Sequence, residues 1–332
     1  MKIYSLLGCL FLLIGCSPAN IPHSKDWFEP STVKYPESRY LTATGFGESK
    51  ESAQYRAKAE LATIFESKID SELKLETRAM LDSIKGEHSS EKIDSAIRIY
   101  SLVNLKGVQI TEVKSTNGQY SALAVLDKIQ AKENWLAELS LLDTKISADF
   151  ESIQHLQSQI LWIKPIQRIW CYWMERTSIA SRLTVIGFKA PSGNFQIKSV
   201  LDMIARLKNS LRIHISISGK NARYLSDTIA KTLNNEGFIL TLEAQKADVL
   251  ISGNVIIEAL DIKNEEWTFT RATVSLQIID QSTGLQVGDI HENVRRGQLT
   301  HKSSAFKSIK DVSSSVQKRV LTFFDPLGGS DL

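Results

Sequence analysis

The sequence predicts an α+β chain: two small sheet-plus-helix domains joined by long helices, behind a cleaved leader. Three observations carry this. Strand-like stretches cluster at 39–47 and 102–126, then again from 213 to 294. Between the clusters, roughly 50 residues from Asp127 show only helical periodicity. The first residues combine a charged start, a short apolar run and a small residue where a cut would fall.

In the leader, Met1-Lys2 supplies the charge. Residues 3–14 are apolar apart from Ser5, Gly8 and Cys9. That run is shorter than the roughly 20 apolar residues a bilayer span needs. Leu13-Ile14-Gly15-Cys16 then resembles the bacterial lipobox. The resemblance implies recognition through Leu13, Ile14 and Gly15, cleavage of 1–15, and a diacylglycerol thioether on Cys16. With an acylated amine, Cys16 would carry three chains, each buried CH2 contributing about 0.8 kcal/mol. Leu6-Leu7-Gly8-Cys9 is a rival, but cutting there leaves an apolar region too short for a signal. The plainer alternative is a secreted protein whose leader happens to end in Cys. Ser17 follows, where Asp would imply retention in the inner membrane, so the resemblance points to the outer membrane.

Residues 16–38 read as a lipidated Cys and a Pro-rich tether, holding Pro18, Pro22, Pro30 and Pro36 of the seven prolines. Such a segment is stiff. Extended, it would reach on the order of 70 Å at about 3.3 Å per residue. Trp27-Phe28 would dock it on the body.

The first domain is placed at 39–130. A strand at 39–47 ends in Gly45-Phe46-Gly47. Ser49 N-caps a helix with Glu51 in its first turn. Ala53, Ala57, Leu61, Phe65 and Ile69 recur every four residues, which makes one apolar stripe. Residues 85–90 form a loop or break. Strands at 102–115 and 120–126 flank Asn117-Gly118, the strongest short hairpin signal. A helical connector follows at 131–184, divided by Pro165. The second domain is placed at 185–325, with a tail at 326–332. Ile213, Ile215 and Ile217 alternate with polar residues as in a half-buried strand. A helix at 222–235 is apolar on Leu225, Ile229 and Leu233 and stops before Gly237. Strands are expected at 238–243, 249–260, 267–280 and 285–294. In the third, Ala272, Val274, Leu276 and Ile278 face one way, and 281–284 turns the chain. A final helix at 303–324 carries Phe306, Ile309, Val316, Val320 and Phe323.

Two resemblances follow from these residues. Tyr40 to Gly47, then Ser49 and the Ala53/Ala57 helix, then the Asn117-Gly118 hairpin ending Tyr120 to Val125, resemble the Lpp-twenty-like lipoprotein domain over about 35–130. Ala247 to Val255, then Val274 to Asp280 with Thr283-Gly284, resemble the CsgG/TolB amino-terminal type of domain over about 185–325. Relatives of the latter occur in a curli secretion channel, in a lipoprotein activator of a peptidoglycan synthase and in flagellar assembly protein T. These imply, as alternatives, a subunit of an envelope ring or secretion pore, or a regulator of a peptidoglycan synthase. Without a third domain or a pair of long amphipathic membrane strands, the chain departs from the flagellar protein and the pore.

Chemistry-bearing constellations are sparse. Gly45-Phe46-Gly47 lacks the third glycine of a dinucleotide fingerprint, Lys50 standing in its place. The six histidines show no ligand spacing, so no metal and no cofactor are expected. No Gly-x-Ser-x-Gly occurs. Cys171 sits among Trp170, Tyr172 and Trp173, an apolar setting for an inert core thiol. With Cys16 lipidated and Cys9 cleaved away, Cys171 has no disulfide partner within the chain, so packed cores must supply the stability. Glu265-Glu266 reads as a solvated loop. A net charge of +3 from 40 basic and 37 acidic residues gives no basis for nucleic-acid binding.

The densest unusual feature is Trp162, Trp170, Tyr172 and Trp173. It is either a partner-binding or membrane-surface stripe, or a helix buried between units. The expectation is a non-enzymatic binding or scaffold lipoprotein of the cell envelope, lipid-anchored at the periplasmic face of the outer membrane. Its partner would be another envelope protein or a peptidoglycan-associated component, with oligomerisation left open.

Overall fold

The computed structural model describes residues 34–81, 106–193, 195–262 and 266–327. The leader, Cys16, the tether up to residue 33 and the expected break at 85–90 lie outside the described residues.

The first sheet contains β1 (Tyr40–Gly47), β2 (Gln109–Thr116) and β3 (Gln119–Asp127), all antiparallel in the order β1-β3-β2. Asn117 and Gly118 adopt φ of 51° and 80°, the left-handed pair that a tight hairpin turn needs. β2 starts at Gln109 rather than 102. Gly107, with φ 94°, turns the chain before it, and 102–105 lie outside the described residues. Helix α1 (Lys50–Leu81) crosses this sheet. Its start is capped as the sequence predicts, Ser52 N–H donating to Ser49 Oγ at 3.1 Å. Ala53, Ala57, Leu61, Phe65, Ile69 and Leu73 are all fully buried. The approach is close because of glycine: a Cβ on Gly45 would lie 2.1 Å from the Ala57 nitrogen.

Asp127 ends β3 and caps α2 (Lys128–Gln154), its carboxylate accepting from the Ile129 and Gln130 amides. Helix α3 is Ile163–Val185. Pro165 does not divide them. The break falls upstream, at His155–Ser158 and a short 3-10 turn at Gln159–Trp162. Pro165 sits in the first turn of α3, where its missing N–H leaves no helical bond unmade. Residues 131–184, expected as a connector, also carry core: Trp135, Leu139, Leu142, Ile146, Ile166, Ile169 and Met174 pack with Phe65, Ile69 and Leu73. Phe65 and Trp135 meet edge to face at 5.8 Å.

Helix α4 (Ile197–Ser210) had no counterpart among the expected elements. Its Val200, Leu201, Met203 and Ile204 belong to the first core, while Leu207 and the following Leu211 belong to the second.

The second sheet is built from β4 (Arg212–Gly219), β5 (Ile239–Leu240), β6 (Val249–Leu260), β7 (Thr268–Asp280) and β8 (Gln286–Gln298), ordered β5-β4-β6-β7-β8. β4 pairs in parallel with β5 and β6, and the remaining pairs are antiparallel. Helices α5 (Ala222–Asn235) and α6 (His301–Phe324) cover one face. Leu225, Ile229 and Leu233, with Ile309, Val312, Val316, Val320 and Phe324, pack on Ala272, Val274, Leu276 and Ile278. β5 is two residues rather than 238–243, because the chain turns at Ala244–Lys246. β8 runs four residues past 294. Phe306, placed on the α6 stripe by the sequence, is 59% exposed, and Val312 and Phe324 are buried instead.

Candidate functional site

The lipobox residues Leu13, Ile14 and Gly15 and the acceptor Cys16 lie outside the described residues. The aromatic group is described, and it corrects the interface alternative. Trp170 is 2% exposed and Trp173 7%, their ring centroids 5.2 Å apart. Trp162 and Tyr172 are half-buried against the same core, with Lys145 Nζ 5.2 Å above the Tyr172 ring. Helical spacing at 166, 169, 170 and 173 points Trp170 and Trp173 inward, and with Trp162 and Tyr172 packed against the same core none of the four is exposed. Cys171 is half-buried beside them.

Two histidines find partners the sequence did not suggest. His214 Nδ1 lies 3.0 Å from the Thr241 carbonyl. His291 Nδ1 lies 3.0 Å from Ser275 Oγ, the two facing each other across β7 and β8. A hydroxyl beside an imidazole is part of a nucleophilic site, but the third member is missing: among the described residues no carboxylate is hydrogen-bonded to His291. The pair is a cross-strand hydrogen bond on the exposed face. Among the described residues no group of three or more His, Cys, Asp or Glu is arranged to hold a metal ion. No described helix is long and apolar enough to cross a membrane.

What the structure does build is a cavity in the second unit. Helices α5 and α6 begin at the same end of the sheet, over β6 and β7. There they flank a half-open cavity of about 660 Å³. Ile257 and Ala259 of β6, Thr270 of β7, and Ala305 and Phe306 of α6 make the interior apolar. Lys220 and Asn221 from the β4–α5 turn, and His301 and Lys302 from the first turn of α6, complete the lining. Tyr224 and Phe306 bridge the two helices edge to face at 6.3 Å.

Local hydrogen bonds fix these walls. Thr300 caps α6 by accepting from the Ser303 amide at 3.2 Å. Ser304 Oγ donates to the Arg296 carbonyl at 2.7 Å, and Ser308 Oγ donates to the Thr270 carbonyl at 2.9 Å. Asp311 takes Arg296 at 2.6 Å and Lys307 at 3.2 Å. Partial burial pushes its carboxyl up. The two cations outweigh that and hold it below its ordinary value. That carboxylate is occupied by its two cations, and among the described residues no acidic side chain lines the cavity. Lys220 and Lys302 form no ion pair among the described residues. The sequence carried only a partial signal of this site, basic residues just before two amphipathic helices.

Residues 26–127 match the family model for LPP20 lipoprotein. That covers the first sheet, α1 and the hairpin. It gives no support to the resemblance of 185–325 to the CsgG/TolB type of domain. No curated protein matches the chain. Among solved structures, the chain is similar to a secreted protein from Helicobacter pylori, at 13% identity and TM-score 0.41 over 85% of this chain and 98% of that one. It is also similar to a minor lipoprotein from Acinetobacter baumannii, at 11% identity and TM-score 0.28 over 34% and 90%. A lipoprotein of Caulobacter crescentus aligns at 14% identity and TM-score 0.25 over 35% and 90%.

Proposed function

We propose that this chain is an outer-membrane lipoprotein, anchored by lipid on Cys16, whose periplasmic body binds or scaffolds another envelope component without catalysis. The observation that carries the reading is a conjunction. A lipobox at Leu13 to Cys16 stands just ahead of residues 26–127, which match a lipoprotein family. Ser17 after the cysteine favours the outer membrane over the inner. The fold supports a body that stands without disulfides, since two packed cores bury its apolar stripes. Binding rather than turnover is favoured by the incomplete Ser275–His291 pair and by a cavity lined with apolar and cationic groups.

The test is fractionation of cells expressing the chain or its Cys16→Ala variant, with mass spectrometry of the processed product. The reading requires a lipid-modified residue 16 at the new amino terminus. It also requires membrane association of the wild type, and loss of that association in the variant. An unmodified thiol at residue 16, or an uncut leader, overturns it.

A further inference from the structure

We infer that the cavity between α5 and α6 is a binding site for a single long-chain anionic lipid, with the chain inside and the head group held at Lys220, His301 and Lys302. This goes beyond the anchoring reading and does not depend on how Cys16 is modified.

Three features argue for it together. The first is size: about 660 Å³ lies within the range of pockets that hold small ligands. The second is the lining. Ile257, Ala259, Ala305 and Phe306 offer hydrocarbon, and Phe306 stays 59% exposed while Ile309, Val312, Val316, Val320 and Phe324 of the same helix are buried. An apolar chain lying there would cover a ring the fold leaves in water. The third is charge. Two lysines and a histidine, all exposed, are among the lining residues, with no carboxylate among the described ones. The amino termini of α5 and α6, which begin at Ala222 and His301, add partial positive charge at the same place. Basic groups at the mouth of an apolar cavity suit a ligand with one anionic end and a hydrocarbon body.

Other occupants fit less well. An inorganic anion would use the lysines but leave the apolar interior unfilled. A peptide would bring backbone donors and acceptors to a cavity whose neutral polar side chains, among the described residues, are Thr270 and Asn221.

The experiment is calorimetric titration of the processed-length chain, residues 16–332 with Cys16→Ser, below the micelle concentration of each probe. Dodecyl phosphate is compared with dodecyl maltoside and butyl phosphate. The expected result is saturable binding of one dodecyl phosphate per chain. Dodecyl maltoside, which lacks the charge, and butyl phosphate, which lacks the chain, should each bind at least about tenfold more weakly. Lys220 and Lys302 are exposed, so the double variant Lys220→Ala/Lys302→Ala should keep the parent's melting curve. It should lose about tenfold or more in dodecyl phosphate affinity. Ala305→Trp, which fills the cavity, should abolish binding, and its melting curve reports whether it still folds. The inference is overturned if dodecyl phosphate shows no saturable site, if either control probe binds equally well, or if the double lysine variant binds like the parent.

Discussion

Gln167 Nε2 donates to the Asp325 carbonyl at 2.7 Å and to the Thr322 carbonyl at 3.2 Å. One buried side chain of α3 thus takes two of the carbonyls left open where α6 ends. It couples the helical half of the first core to the last helix of the second. Leu327, two residues on, is buried in the first core. Gln167→Leu keeps the bulk but strands both carbonyls, so a loss of about 1–3 kcal/mol is expected. Urea unfolding should show the midpoint falling while the two units still unfold together. An unchanged midpoint would mean that water replaces the bond without loss.

Gly45 sets the distance between β1 and α1. Its missing side chain leaves room for the Ala53 carbonyl and the Ala57 backbone, which a Cβ would approach to 2.5 and 2.1 Å. Backbone cannot step aside as a flexible side chain can. Gly45→Ala should therefore destabilise by about 1–3 kcal/mol or more, as overpacking does. Gly118→Ala has open space but φ of 80°, and should lose less, through turn strain alone. Melting temperatures of the two variants check the order.

The same positions show what was legible beforehand. The Ala53-to-Ile69 stripe, the Ser49 cap, the Asn117-Gly118 turn and the bounds of α5 and β6 follow from local chemistry, and the structure has them where the sequence puts them. Helix α4 was missed although Val200, Ile204, Leu207 and Leu211 keep helical spacing, because its face is shared between two cores and reads as neither. Pro165 misled because proline both breaks helices and starts them, and only the 3-10 turn before it decides which. The cavity was illegible for a different reason. Its residues come from the β4–α5 turn, two strands and α6, brought together only by the sheet order β4-β6-β7.

The aromatic group offers a clean separation of roles. If Trp170 is core, as its 2% exposure indicates, Trp170→Ala should destabilise by about 3–5 kcal/mol. A surface anchor would instead lose binding with little change in stability. Trp267, 42% exposed just ahead of β7, is the contrasting case: Trp267→Ala should shift the melting temperature little. Thermal unfolding of both variants followed by circular dichroism decides the matter.

Acid sensitivity should centre on Asp280. Its side chain is fully buried, and its carboxylate accepts from the Ser282 amide at 3.0 Å, the Ser282 hydroxyl at 2.7 Å and the Thr283 hydroxyl at 2.9 Å. Burial pushes the carboxyl up, but these donors and the Ser158 hydroxyl outweigh it and hold it below the ordinary value of 3.8. A carboxyl depressed on folding contributes stability above its unfolded pKa. That contribution is lost as pH falls through 3.8 toward the lower folded value. Asp127 follows the same sign: desolvation raises it, and Arg39 with two amides lowers it further. Stability should therefore be level from neutral pH down to about 5 and fall below about 4. Asp280→Asn removes one of these linked protons. It should weaken the protein at neutral pH and make the acid fall shallower. Urea unfolding at pH 7 and pH 3 measures both quantities. An undiminished acid fall in the variant would shift the linkage onto Asp127 and Asp311, the other depressed carboxylates among the described residues.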